Sequence, residues 1–253
     1  MKIPSVVVSI ILILMMVLSS SAVFADARVW TLLDDRSLEA SFITTIGADF
    51  VLKSATGKQI KIPASEFSEE DRTFVELLRP PELKVDFINQ LKTVTFTEGW
   101  YGEFGREPEK HGNFGLRIVQ TSSGSYRHEL SAEYFVIARQ LYRSDPKCFL
   151  IDRGEVTFTL TKKNKRTFEF MSDNQVRLQN WEYPGNDFLI QFGEIYYASV
   201  VVIRDKRGET VKVEASKSWM AENLENLSQL KIGNYFDKKC VRCFPARPKP
   251  LVW

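Results

Sequence analysis

From Arg28 to Arg79 apolar and polar residues alternate with a period of two, as half-buried strands require. Leu38, Ala40 and Phe42 fall on one face, with Glu39 and Ser41 opposite. Phe50 and Leu52 repeat the arrangement after a turn containing Gly47, and Ile60 and Ile62 repeat it after Thr56-Gly57-Lys58. Three short strands in so small a span predict a small barrel over residues 26–80. Ser68-Glu69-Glu70-Asp71 then opens a helix, with Ser68 as N-cap and the acidic residues on the positive end of the dipole. Phe74, Leu77 and Leu78 form its apolar stripe, and Pro80-Pro81 stops it.

After a linker over 81–90, the alternation resumes at Leu91. Val94 and Phe96, Leu116 and Ile118, and Tyr134 to Leu141 read as strands, as do Val156 to Leu160, Phe168 to Phe170, Phe188 to Phe192, Ile195 to Arg204 and Val211 to Val213. Eight or so strands with turn signals between them predict a β-sandwich over 91–235. Lys162-Lys163-Asn164-Lys165 and Asp205-Lys206-Arg207-Gly208 read as hairpin turns, Gly208 supplying a residue able to adopt positive φ. Trp219, Leu224, Leu227 and Leu230 predict a terminal helix ending near Gly233, and a basic, proline-rich tail occupies 236–253.

The N-terminus changes the setting. Lys2, an apolar run from Val6 to Leu18 broken only by Ser9, and Val23-Phe24-Ala25 before Asp26 form an export signal over 1–25, cleaved between Ala25 and Asp26. An uncleaved anchor over Ile3 to Phe24 is the alternative. No cysteine follows the run, which argues against a lipid-anchored lipoprotein. The expected location is therefore the periplasm or the cell surface.

Charge adds little. Against 34 Lys and Arg stand 32 Asp and Glu, so the chain lacks the electrostatic footprint of a nucleic-acid binder. A hydrophobic fraction of 44%, with 18 Phe, 8 Tyr and 5 Trp, is that of a packed globular protein rather than a disordered one.

Five blocks in the first segment carry a resemblance: Arg28-x-Trp30, Leu38-Glu39-Ala40-x-Phe42, Asp49-x-Val51-Leu52, Gly57-Lys58-x-Ile60-x-Ile62-Pro63 and Phe67-Ser68-Glu69-Glu70-Asp71. In this order they resemble the Sla homology domain 1 family over about a fifth of the chain. The resemblance implies an SH3-like barrel, a fold that binds sorting peptides in a eukaryotic endocytic adaptor and also occurs in exported bacterial proteins. Two departures, Asp34-Asp35-Arg36-Ser37 in place of a glycine and Phe67 in place of leucine, leave that fold intact. The remainder is diffusely similar to immunoglobulin-like modules, on strand count alone, and lacks their Cys, Trp, Cys arrangement. The expected fold class is thus mainly β, an SH3-like barrel followed by a β-sandwich with a C-terminal helix.

Candidate chemistry is sparse. Trp30 beside Arg28, and Lys53 near Lys58, form a candidate site for a Phe-containing or acidic peptide, although a Trp at a domain start also serves to close a core. Trp100, Tyr101, Phe104 and Phe114 sit on glycine-framed loops suited to stacking on a glycan. Cys148, Cys240 and Cys243 predict a disulfide in an oxidising compartment, with the pairing open. Cys240-Val-Arg-Cys243 has redox spacing but runs into Phe244-Pro245 rather than a helix, so redox catalysis is not expected. His111 and His128 are isolated, so no metal site is expected. Ser172-Asp173-Asn174 and Lys231-Ile232-Gly233 echo motifs of penicillin-binding enzymes, but Ser144-Asp145-Pro146-Lys147 favours a turn where the nucleophilic serine must open a helix. The reading is a non-catalytic protein without a cofactor that binds a protein or peptide, with glycan binding as the alternative. Nucleic acid is excluded, and membrane contact is restricted to an uncleaved signal or the basic Lys238 to Lys249 segment.

Overall fold

The computed structural model describes residues 27–95, 108–122, 126–141, 146–184 and 189–244, and the chain divides into two compact units after Leu78. It is mainly β, built from antiparallel sheets with a few short helices.

The first unit is a four-stranded antiparallel sheet of β1 (Arg28–Thr31), β2 (Ser37–Ile46), β3 (Asp49–Ser54) and β4 (Gln59–Pro63) in sequential order. The three strands read from the alternation are present, and Arg28–Thr31 adds a fourth. After β4 the chain returns to the open edge of β1, where Leu32 bridges Phe67, Leu33 N donates to Glu66 O at 2.8 Å and Ser68 N donates to Thr31 O at 2.9 Å. That return satisfies the edge that β1 would otherwise expose. Helix α1 (Glu69–Leu77) begins as its sequence predicts, the Ser68 side chain accepting from Asp71 N at 3.2 Å. Trp30, Phe42, Phe50, Phe67 and Val75 form the buried centre of the unit.

The second unit starts earlier than the hydrophobic pattern suggested. Residues 81–90 are not a linker, because β5 (Leu83–Asn89) pairs along its whole length with a later strand. Its Leu83 and Val85 are buried while Lys84 is exposed, so the period-two signal was present but stood directly behind Pro80-Pro81. Next come β6 (Lys92–Val94), β7 (Glu109–Gly112), β8 (Phe114–Gln120), β9 (Leu130–Gln140), β10 (Cys148–Phe158), β11 (Thr167–Met171), β12 (Val176–Pro184), β13 (Leu189–Asp205) and β14 (Thr210–Ala215). After the helical segment come β15 (Tyr235–Phe236) and β16 (Arg242–Cys243).

Nine of these strands form one sheet, ordered β16-β15-β10-β9-β13-β12-β7-β6 with β14 also on β13, and β11-β8-β5 form a second sheet. Aromatic pairs join the two sheets: Tyr134 with Phe170, Phe158 with Phe168 and Phe114 with Tyr196, at centroid distances of 5.5, 4.6 and 5.1 Å. The other face of the large sheet, through Phe135, Ile137, Leu150 and Val200, packs on Met220, Leu227 and Leu230 of the helical segment. Covered on both faces, β9 is a near-continuous apolar run rather than an alternating one.

Three expectations change in detail. The Asp205 to Gly208 turn closes the β13–β14 hairpin, with Gly208 at φ 83°, but Lys162 to Lys165 joins no hairpin. It is the corner at which the chain leaves the large sheet on β10 for the small sheet on β11. The terminal helix is two short helices, α2 (Ser218–Glu222) and α3 (Leu224–Ser228), broken at Asn223, whose side chain donates to Trp219 O at 2.7 Å. Residues 236–243, read as the start of a free tail, belong to the fold through β15 and β16.

Arg153 holds the end of α3 to the sheet. Its guanidinium donates to Ser228 O at 2.9 Å, Leu230 O at 2.6 Å and Glu133 Oε1 at 2.9 Å while lying over the Phe135 ring. Carbonyls at a helix C-terminus have no intrahelical donors, and a cation there also complements the helix dipole. Arg153→Ala is expected to lower the unfolding free energy of the chain by about 2 kcal/mol, the scale of charge-assisted hydrogen bonds. Urea denaturation monitored by tryptophan fluorescence measures this, and an unchanged midpoint would contradict it.

Candidate functional site

The expected peptide site on the first unit does not form as a groove. Trp30 has no solvent exposure, its indole N–H donates to Ala40 O at 2.8 Å, and four phenylalanine rings surround it within 6.5 Å. Arg28 is also committed. It pairs with Asp71 at 2.6 Å and stacks over Phe74 at 4.0 Å, while Asp71 additionally accepts from Thr31 N at 2.6 Å. An aromatic and a basic residue two apart on a strand share one face, and here that face is the core. Only Lys53 and Lys58, both exposed and flanking the β3–β4 turn, remain at the surface.

The expected aromatic loop is divided. Trp100, Tyr101 and Phe104 lie outside the described residues, as do Ala25 and Asp26. Phe114 is 2% exposed, too buried to stack on a ligand. Its ring instead packs against Tyr196 at an interplanar angle of 29°, and Tyr196 lines a cavity.

This cavity, about 490 Å³ in volume, is lined by Asn89, Leu91, Thr93, Lys110, Ile195 and Tyr196. Four strands build it. Thr93 on β6 stands directly opposite Lys110 on β7, which puts both side chains on one face. Asn89 ends β5, and its Oδ1 accepts from Leu91 N at 3.0 Å, fixing the turn that carries Leu91. A Cβ on Gly112 would lie 2.3 Å from Gln90 O, so only glycine lets that turn lie against β7. Tyr196 sits beside a bulge on β13, with its hydroxyl 3.1 Å from Ser199 Oγ and one ring face held by Phe114. These contacts fix the placement of the Leu91 turn and of the Tyr196 ring in the wall. Its chemistry is one phenol ring, one amide, one hydroxyl, one ammonium and two aliphatic side chains, a set that orients and solvates a polar molecule.

Elsewhere on β7 His111 is not isolated, since its Nε2 lies 2.6 Å from Glu109 Oε2. The His128 ring meets the Tyr126 ring edge-on at 5.2 Å. Among the described residues no three His, Cys, Asp or Glu side chains gather to hold a metal, and no helix is long and apolar enough to cross a membrane.

The cysteines also differ from expectation, because no disulfide joins Cys148, Cys240 and Cys243. Cys148 on β10 and Cys243 on β16 are separated by the intervening β15, which places their backbones roughly 9.5 Å apart, beyond the reach of a bridge. Cys148 and Cys240 are buried in the core beneath the helices, where cysteine behaves as a small apolar residue. Burial pushes their thiols up to about 11 and about 12.

Sequence reasoning missed the cavity because its six residues come from positions 89 to 196 and meet only through strand pairing. Comparison of the chain with protein-family models, curated proteins and solved structures finds no match.

Proposed function

We propose that this chain is an exported, non-catalytic binding protein whose recognition site is the Tyr196 cavity of the second unit, and that its ligand is a saccharide. The observation that carries this reading is the cavity's lining, in which a pre-positioned tyrosine ring is surrounded by Asn89, Thr93 and Lys110. Its volume falls within the range of roughly 300–1,000 Å³ usual for small-ligand sites. A sugar ring offers hydroxyls to the amide, hydroxyl and ammonium and an apolar face to the tyrosine. Export follows from the signal at 1–25, and the resemblance to Sla homology domains fits a binding role for the first unit as well.

A glycan array probed with the chain lacking residues 1–25, followed by calorimetry on the best ligand, tests the reading. Tyr196→Ala is expected to weaken binding about tenfold or more, because it removes the stacking surface, and Lys110→Ala to weaken it by a smaller factor. Uniform silence across the array, or binding indifferent to Tyr196, would remove the saccharide reading.

A second reading is favoured by the exposed Lys53 and Lys58 at the β3–β4 turn: docking of an acidic protein segment on the first unit. Retention of an envelope protein that is lost in Lys58→Glu, together with silence on the array, would support it.

A further inference from the structure

Asp152 is the most unusual residue of the second unit. It has no solvent exposure and stands near the end of an otherwise apolar run from Cys148 to Ile151. A bulge between Leu150 and Asp152 resets the pairing of β10 with β9 at this point. Asn174 Nδ2 donates to its Oδ1 at 2.9 Å, and Oδ2 has no hydrogen-bond partner. Burying a carboxylate with one bare oxygen is costly unless a counter-charge arrives.

Besides the Asn174 amide nitrogen, the polar side chains grouped around Asp152 offer oxygen atoms. The Ser172-Asp173-Asn174 loop lies against Asp152 through the Asn174 contact, and the Ser172 Oγ accepts from Asn174 N at 3.2 Å. Tyr134, paired with Gly154 two residues beyond Asp152, hydrogen-bonds through its hydroxyl to the Ser172 side chain. A Cβ on Gly154 would meet that hydroxyl at 2.7 Å, so the glycine makes room for it. Burial pushes the Tyr134 phenol up, the Ser172 side chain opposes this through a hydrogen bond, and the Asp152 and Asp173 carboxylates push it further. Tyr134 and Ser172 are buried, whereas Asp173 and Asn174 are exposed, so the cluster opens to solvent at the loop.

The geometry points to a binding site for a hard divalent cation of the Ca²⁺ class, with Asp152 Oδ2 as the buried anionic ligand and the Ser172 hydroxyl, Tyr134 hydroxyl and Asp173 carboxylate completing it. Two carboxylates and neutral oxygens in an irregular loop suit Ca²⁺, which tolerates variable geometry, better than Mg²⁺, which demands a regular octahedron. No nitrogen or sulfur ligand is present to favour zinc. An ion here would tie the 172–174 loop to the large sheet. The site is independent of the Tyr196 cavity and of the saccharide reading.

The test uses the chain lacking residues 1–25, stripped with a chelator and titrated with Tb³⁺, a luminescent stand-in for Ca²⁺ that is sensitised by a nearby tyrosine. Sensitised emission that Ca²⁺ displaces, together with a rise in Tm on adding millimolar Ca²⁺, is expected. Asp152→Asn should weaken Tb³⁺ about tenfold or more, yet match or exceed the wild-type Tm without metal, because the amide removes an unpaired buried charge. Tyr134→Phe should lose most of the emission and, with one neutral ligand gone, keep a Ca²⁺-dependent rise in Tm that is smaller than the wild-type rise. Should Asp152→Asn fail to fold, Ser172→Ala carries the test with an expected weakening of a few fold. The proposal is overturned if Ca²⁺ leaves Tm unmoved, if the Tb³⁺ titration midpoint is unchanged in Asp152→Asn, if emission is unchanged in Tyr134→Phe, or if Mg²⁺ produces an equal shift.

Discussion

In the Trp30→Ala variant the first unit is expected to lose about 3–5 kcal/mol, the range for deleting a large buried aromatic, and to be largely unfolded at 37 °C while the second unit stays folded. Trp30 touches Phe42, Phe50, Phe67 and Phe74, so its removal withdraws contacts from β2, β3, the return segment and α1 together. It also strips Ala40 O of the indole donor. A unit of about fifty residues has little stability in reserve, because small domains bury a smaller share of their surface. Arg28 would lose part of its seat as well, since it lies 5.1 Å from the Trp30 ring centroid. Native-state amide exchange resolves the two units. Protection should collapse over β2 and β3 and persist over β9 and β13. Protection retained in β2 and β3 would show that the phenylalanine cluster suffices alone. Trp30→Phe, which restores much of the apolar volume but not the hydrogen bond, should recover more than half of the loss.

What could be read from the chain and what could not divide along sequence distance. Strands β2, β3 and β4 and the Ser68 cap were legible because each is written in ten or fewer consecutive residues. The apolar run of β9 was also legible, although only the structure shows that helices and a second sheet cover its two faces. Strand β5 was overlooked despite its alternation, since a Pro-Pro pair normally marks a boundary and here marks the start of the next unit. The 162–165 turn carried hairpin residues, yet the stacking of Phe158 on Phe168 sends the chain from one sheet to the other. Trp30 and Arg28 looked like a binding pair because their spacing places them on one face, and nothing local tells a core face from an open one. Asp152 and the Tyr196 cavity were invisible for the opposite reason. Their meaning depends on partners 18 to more than 100 residues away that only strand register brings together.

Cys148 and Cys240 are expected to resist alkylation in the folded chain by a factor of at least about 100 relative to the same chain in urea. Burial is the largest cause for both thiols. For Cys148 the neighbouring Arg139 opposes it and Cys243 adds to it, giving about 11, and for Cys240 the Asp237 carboxylate and Cys148 add to it, giving about 12. Against an ordinary value of 9.0, a thiol raised to about 11 has about a hundredfold less thiolate at pH 8, and the greater nucleophilicity of a more basic thiolate regains only about tenfold. The rest of the protection is steric, since Cys148 is 9% exposed and Cys240 is not exposed at all, and reagent reaches them only through opening of the β15–β16 edge. Cys243, half-buried on the outermost strand, should be labelled first. Iodoacetamide labelling with peptide mapping before and after denaturation distinguishes the three, and rapid native labelling of Cys240 would show that this edge is open in solution. The same raised values set a sign for stability. Above pH 9 the unfolded chain releases these protons while the folded chain holds them, so stability falls progressively from pH 9 to about 12. Replacing both residues with alanine should flatten that alkaline limb while costing stability at neutral pH through the cavities left beside Phe236 and Met220.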